Sequence, residues 1–207
     1  MRQRGRGVDV AIRTAGESDR ELLVQLLDEA FQEDPVSAWV FPDPAHRRAT
    51  HPRMMAAILD IVLSEGRVDL TEDGSACALW LSVPADAHPD EEEQGDDAVQ
   101  LREAVEPGNE RVELIGRLTS GIHPSGSAHE YLWLIAVAPD SQGRGLGTAL
   151  VQQVLDRCDR EGVAAYLEAS NVGSRKLYER LGFDLLDRPL DLPDGPPMWP
   201  MWREPSA

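Results

Sequence analysis

Tyr131-Leu132-Trp133-Leu134-Ile135-Ala136-Val137 leads, across Pro139-Asp140, into Gln142-Gly143-Arg144-Gly145-Leu146-Gly147. The first run is almost continuously apolar, as a central strand buried on both faces reads. The second places three glycines ahead of an amphipathic helix that carries Leu150, Val151, Val154, Leu155 and Cys158 on one side. Glycine lets the backbone turn sharply and lets a ligand approach the amides. Free N–H groups of the first helical turn, with the positive end of the helix dipole, then suit a phosphate or pyrophosphate. Arg144 can add a charge-assisted contact. Two other glycine-rich loops do not fit. A Walker loop needs a lysine where Gly147 runs straight into Thr148, and the spacing Gly143, Gly145, Gly147 is not that of a dinucleotide fingerprint.

Working outward, Ala164 to Ala169 reads as a strand, Asn171 as the cap of a helix holding Leu177, Tyr178 and Leu181, and Gly182 as its end. Phe183 to Leu186 and Met198 to Trp202 are late strands. Upstream, Val8 to Arg13 alternates as a half-buried strand does. Ser18 and Glu21 have capping-box spacing before a helix with Leu22, Leu23, Leu26, Leu27 and Ala30 on one face. Gln32 to Pro44 reads as an irregular aromatic loop. Asp43-Pro44 opens a helix through Met54, Ile58, Ile61 and Val62 to Gly66. Arg67 to Thr71 and Ala76 to Val83 flank Asp73-Gly74 as a hairpin. Residues 85–97 are acidic and read as a solvated loop or exposed helix start. Val99 to Leu118 is weakly helical around Pro107-Gly108, and His123 to Ser127 is a loop. This order predicts an α/β (α+β) fold with one mixed, mostly antiparallel twisted sheet flanked by helices. Residues 8–204 are expected to form a single domain, 1–7 a flexible tail and 85–127 a variable acidic insert.

The 207 residues are 42% hydrophobic, enough for one packed domain. Twenty Lys and Arg stand against 37 Asp and Glu, a formal net charge of -17. A field of that sign repels nucleic acid and anionic membranes and attracts cationic small molecules or basic peptides. Cys77 and Cys158 form no CxxC pair, and His46 and His51 have no third ligand nearby, so no metal site is expected. No run approaches the roughly 18 apolar residues of a membrane span, and the basic Met1 to Gly7 has no apolar run behind it. The expectation is a soluble, cytoplasmic protein.

The pattern Gln142-x-x-Gly145-x-Gly147 after an apolar strand resembles the acetyl-CoA loop of the GCN5-related N-acetyltransferase (GNAT) superfamily. Asn171-x-x-Ser174-x-x-Leu177-Tyr178-Glu179-Arg180-Leu181-Gly182-Phe183 resembles that family's second motif, in the right order and at the right separation. Within the superfamily, His129-Glu130-Tyr131-Leu132, Val137 to Gly143, Glu29-Ala30-Phe31 with Asp34-Pro35, and Ala78-Leu79-Trp80 look like the puromycin N-acetyltransferase branch. The resemblance implies a V-shaped splay of two strands that binds acetyl-CoA, and direct transfer of acetyl to a primary amine of a small molecule. The alternatives are a protein lysine or N-terminal acetyltransferase, or a non-catalytic acetyl-CoA-binding sensor. A homodimer stays open.

By the same resemblance, acetyl-CoA is held by Ile135 and Val137 through their backbones, by Gln142, Gly143, Arg144, Gly145, Leu146, Gly147 and Thr148, and by Asn171 and Ser174. Ala136 or Val137 supplies the N–H for the oxyanion, and Tyr178 matches the general acid that protonates the departing thiolate. The attacking amine must lose a proton. The position of the histone-acetylating branch's strand glutamate falls at Tyr131. His129 shares a strand face with Tyr131 and Trp133 and is the preferred base, Glu130 the fallback, and an ordered-water relay the third option. Asp34, Trp39, Phe41, Trp80 and Tyr131 are the expected acceptor contacts, since aromatic faces and carboxylates suit a cation.

Overall fold

The computed structural model describes residues 10–86 and 91–206. The 1–7 tail, the Val8-Asp9 start of the first strand and part of the acidic tract lie outside the described residues. The strands are β1 (Ile12–Thr14), β2 (Arg67–Thr71), β3 (Ala76–Val83), β4 (His129–Val137), β5 (Ala164–Ala169), β6 (Asp184–Leu185), β7 (Leu190–Asp191) and β8 (Pro197–Arg203). The helices are α1 (Arg20–Phe31), α2 (Pro35–Val40), α3 (Pro44–Glu65), α4 (Glu91–Val105), α5 (Glu110–Ser120), α6 (Leu146–Glu161) and α7 (Val172–Arg180). The sheet runs β1-β2-β3-β4-β5-β8-β6, with β7 on β8, and every pair is antiparallel except β4–β5.

Each sheet face buries its own apolar layer. Leu23 and Leu27 of α1 and Met55, Leu59 and Val62 of α3 pack with Leu70, Leu79 and Ala136 on one face. Leu150, Val154 and Leu155 of α6 and Tyr178 of α7 pack with Trp80, Leu132 and Leu167 on the other. The strand alternation of β3 and β4 sends successive residues to these two layers.

Several local readings change. No capping box forms at Ser18 and Glu21; Asp19 caps the turn instead, its carboxylate accepting the Gly16 N–H at 3.0 Å and held by Arg13 at 2.6 Å. Leu22 faces outward, 42% exposed. Residues 32–44 are not an irregular loop. Asp34 N-caps α2 through the Val36 N–H at 2.9 Å, with Pro35 in the first turn, the same Asp-Pro device that opens α3 at Asp43-Pro44. The 85–127 stretch contains α4 and α5, whose break falls at Pro107-Gly108 as the sequence suggests. Both strands of the Asp73-Gly74 hairpin follow the sequence reading, with Gly74 at φ 72°, whereas the first strand begins only at Ile12 and runs to Thr14, and a short β7 at Leu190–Asp191 pairs with β8 inside the proline-rich stretch between the two late strands.

Candidate functional site

The parallel pairing of β4 and β5 covers His129↔Ala164 to Leu132↔Leu167 and then stops. Beyond it β4 follows β3 as far as Val137, while β5 follows β8 through Ala169. A register shift opposite Leu79/Trp80 leaves Trp133 as the extra residue at the point of divergence. The two strands therefore part at Leu132, and the β5-facing edge of residues 133–137 has no strand partner among the described residues. The Ala138 N–H donates to the Ser75 carbonyl at 2.8 Å. By alternation the Ala136 N–H also points at β3, and those of Ile135 and Val137 point into the gap. This corrects the expectation for Ala136, which is buried on the α1/α3 layer; of Ala136 and Val137, only Val137 turns its N–H into the gap. It also corrects the reading of β4 as buried on both faces, because Trp133, Leu134, Ile135 and Val137 are only partly covered where they line the gap.

A cleft of about 760 Å³ opens from this gap. Gln142, Gly143, Gly145, Leu146, Gly147 and Thr148 line one end. Gly143 and Gly145 have φ of 73° and 85°, the left-handed region where a side chain is strained. Gly145 is the N-cap of α6, so the free amides of the first turn face the cleft. Gln142 Nε2 donates to the Val137 carbonyl at 3.3 Å, tying loop to strand. Arg144 turns back to the Asp140 carbonyl at 2.9 Å and is not among the cleft residues.

The other wall comes from β5 and α7. Asn171 spends its Oδ1 on the Ser174 N–H at 2.9 Å, capping α7, and Ser174 Oγ donates to the Asn171 carbonyl at 2.9 Å; both residues line the cleft. Tyr178 lines it as well, with its ring packed at 5.9 Å on Phe183. Burial, reinforced by Asp34, pushes its hydroxyl above the ordinary tyrosine range, so it stays protonated.

Glu168, which the sequence reading passed over, lies on β5 one residue beyond the last β4–β5 rung and lines the cleft. Its Oε2 accepts the Tyr131 hydroxyl at 2.8 Å, and its Oε1 is buried without a partner. Burial raises its carboxyl to about 7, against the opposing pull of the Tyr131 hydroxyl. Alternation along Ala164–Ala169 puts Tyr166 and Glu168 on one face of an otherwise apolar strand. A single glutamate there, three residues before Asn171, is the signal that could have identified it.

Several expected residues lie elsewhere. His129 shares the Tyr131 face but sits behind it, buried; Nδ1 meets the Ser127 carbonyl at 2.8 Å and Nε2 meets His123 Nε2 at 2.9 Å. Burial lowers the pKa of both imidazoles, His123 to about 4. Glu130 points to the opposite face, held by Arg157 at 3.0 Å and Ser82 at 2.9 Å. Neither lines the cleft. Trp39 donates its indole N–H to the Pro193 carbonyl at 2.8 Å under the Arg111 guanidinium, while Phe41 and Trp80 are fully buried core. These three are packing residues, not cleft walls. Tyr131 and Asp34 do line the cleft, but Asp34 is already committed: Oδ1 caps α2 and Oδ2 accepts Ser170 Oγ at 2.6 Å. Among the described residues no helix is long and apolar enough to cross a membrane, and no three His, Cys, Asp or Glu are grouped to hold a metal ion.

Comparison with known proteins agrees with this geometry. The model of the acetyltransferase (GNAT) family matches residues 70–183. A mycothiol acetyltransferase of Renibacterium salmoninarum is 31% identical over 127 residues, which cover 51% of this chain and 37% of that relative, so well under half of the relative's length is matched. A solved structure from Corynebacterium glutamicum, described as histone acetyltransferase HPA2 and related acetyltransferase, superposes with a TM-score of 0.70 at 26% identity, covering 97% of this chain and 98% of that one. A Drosophila melanogaster polyamine N-acetyltransferase that forms N-acetylagmatine has a TM-score of 0.65 at 18% identity, covering 95% and 100%, a likeness of fold.

Proposed function

The chain belongs to the GNAT family of acetyltransferases, and on that footing we propose that it transfers an acetyl group from acetyl-CoA to a primary amine of a small molecule, both bound in the one cleft. When bound, acetyl-CoA supplies an acetyl thioester. The residues present fit it. The left-handed turns at Gly143 and Gly145 and the amides that open α6 would hold the pyrophosphate, and the unpaired edge at Ile135 and Val137 would pair with the amides of the pantetheine arm. Val137 N–H would donate to the carbonyl oxygen as it gains charge.

Glu168 is the base in this reading. An alkyl amine is protonated at neutral pH, and a carboxylate raised to about 7 is matched to remove that proton. Tyr131 orients it through the 2.8 Å hydrogen bond. Tyr178, kept protonated by burial, gives its proton to the departing thiolate. The observation that carries the reading is the Glu168 carboxylate standing at the apex of the β4–β5 gap, with one oxygen unpartnered. A net charge of -17 favours a cationic acceptor, in keeping with the amine substrate of the polyamine enzyme. A protein lysine as acceptor is the second reading, favoured by the Corynebacterium neighbour's description.

The test is release of CoA thiol from acetyl-CoA with a panel of polyamines, arylalkylamines and lysine peptides. Turnover with small amines and none with peptides is expected. Turnover with peptides alone would reassign the acceptor, and CoA binding without turnover on any amine would leave a sensor.

A further inference from the structure

Three helices on the acceptor side of the cleft bring together a second reactive group. Asp28 of α1, His51 of α3 and Ser37 of α2 form a line. His51 Nδ1 lies 2.6 Å from Asp28 Oδ1, and His51 Nε2 lies 3.1 Å from Ser37 Oγ. A carboxylate only accepts, so Nδ1 carries the imidazole proton and Nε2 is left as acceptor for the serine hydroxyl. Gln32 Nε2 fixes the same Asp28 oxygen at 2.6 Å. His51 is fully buried, with its ring edge-on to Phe41 at 6.1 Å. Burial lowers its pKa against the pull of Asp28, so the ring is neutral and able to take a proton. Among the described residues the Ser37 hydroxyl has no partner but His51, and Ser37 lines the same cleft as Glu168 and Tyr178. A purely structural bond between α2 and α3 has no need of the third member, nor of a serine on the wall of the cleft.

We propose that Ser37, His51 and Asp28 form a nucleophilic triad that accepts acyl groups in this cleft and gives the protein an acyl-thioester and acyl-ester hydrolase activity when no amine is bound. For the natural thioester this rests on acetyl-CoA being the donor. Ser37 Oγ forms a bond to the acyl carbon, the C–S bond breaks, and the hydroxyl proton passes to His51 Nε2 and on to the CoA thiolate. Water then attacks the Ser37 ester, its proton passes through His51 to Ser37 Oγ, and acetate leaves. Asp28 is a positioning residue that fixes the His51 tautomer.

Two probes of the wild-type protein test this, one independent of CoA. A fluorophosphonate should label Ser37, seen by peptide mass spectrometry. Acetyl-CoA without amine should release CoA and leave an acetyl on the Ser37 peptide at short quench times. Ser37→Ala should lower amine-free CoA release by more than about a hundredfold with the thermal melt retained. Asp28→Asn should slow phosphonate labelling and move its pH midpoint downward. His51 is faced by Asp28 and Asp34, which raise its pKa, and by Arg47, which lowers it, and the substitution removes the strongest raising partner. Labelling of Ser37 by the phosphonate with no amine-free CoA release would overturn the thioester hydrolase, and no CoA release with any amine as well would instead defeat the donor assignment. No label on Ser37 from either probe, or amine-free release equal in Ser37→Ala, overturns the triad.

Discussion

The Tyr131 hydroxyl donates to Glu168 Oε2 at 2.8 Å across the two strands whose parallel ladder ends at Leu132 and Leu167. Tyr131 is the last residue but one of the β4 ladder, and Glu168 is the first residue of β5 past it. The contact therefore bridges the apex of the gap, where a carboxylate is withdrawn from water yet reachable from the cleft. Tyr131 thus joins β4 to a carboxylate on the neighbouring strand.

If Glu168 removes the amine proton, its ionisation sets the acid side of the rate profile. The carboxyl is raised to about 7, so the basic form is lost below that pH and gained above it. The rate of acetyl transfer is expected to rise through about pH 7. Glu168→Gln should cost about 10²–10⁴ in kcat and abolish that limb, with little change in the KM for acetyl-CoA. His129→Gln should leave the limb where it is, since His129 is sealed behind Tyr131 by His123 and Ser127. A limb that moves with His129 and not with Glu168 would return the base to β4.

The same carboxyl makes a stability prediction that needs no substrate. Its folded pKa of about 7 lies above the ordinary 4.5, so between those values the folded state binds the extra proton. Stability from this group is fully present below about pH 4.5 and is lost as pH rises to about 7. Glu168→Gln removes that loss. The variant should gain on the order of 3 kcal/mol relative to wild type between pH 5 and pH 8, from the size of the shift. Urea melts of both proteins at the two pH values measure it, and parallel pH dependences would show that the carboxyl is not raised.

Tyr178 has no comparable task in packing that phenylalanine cannot meet. Its ring packs against Phe183, and the residue lines the cleft. Tyr178→Phe should therefore hold the melting temperature and the affinity for CoA while kcat falls by about 100-fold or more, the low end of the range for loss of a general acid. Equal turnover in the two proteins would remove Tyr178 from the acid role.

The donor half of the cleft was legible because its signals are local. The glycines of 143–147 fix their own dihedrals, Asn171 caps the helix it precedes, and the apolar run before them marks the strand. The acceptor half is built by pairings distant in sequence. Whether Glu168 meets Tyr131 depends on a parallel ladder that stops one residue short of it. Asp34 looked like a cation ligand because nothing in the sequence says that Ser170, 136 positions away, takes its second oxygen. Trp39 and Phe41 looked like cleft walls because aromatic residues in a supposed loop suggest a ligand, and Trp80 because an aromatic on the neighbouring strand could line the same cleft. Once α2 forms, Trp39 and Phe41 face the core, and the alternation of β3 turns Trp80 onto α6. The Asp28–His51–Ser37 line crosses three helices and has no sequence signature at all.

Asp34 is the sharpest test of that distinction. One oxygen caps α2 and the other accepts from Ser170 and, at 3.5 Å, from Asn171, so the residue ties the acceptor-side helix to the β5–α7 turn. Asp34→Ala removes a helix cap, worth about 1 kcal/mol, and leaves the proton of the half-buried Ser170 hydroxyl without its acceptor, worth about another 1–2 kcal/mol. A loss of about 2–3 kcal/mol in urea unfolding at an unchanged slope is expected, together with a fall in turnover on charged and uncharged amines alike, because the wall itself loosens. A stable variant whose KM rises only for cationic acceptors would instead make Asp34 a direct substrate ligand.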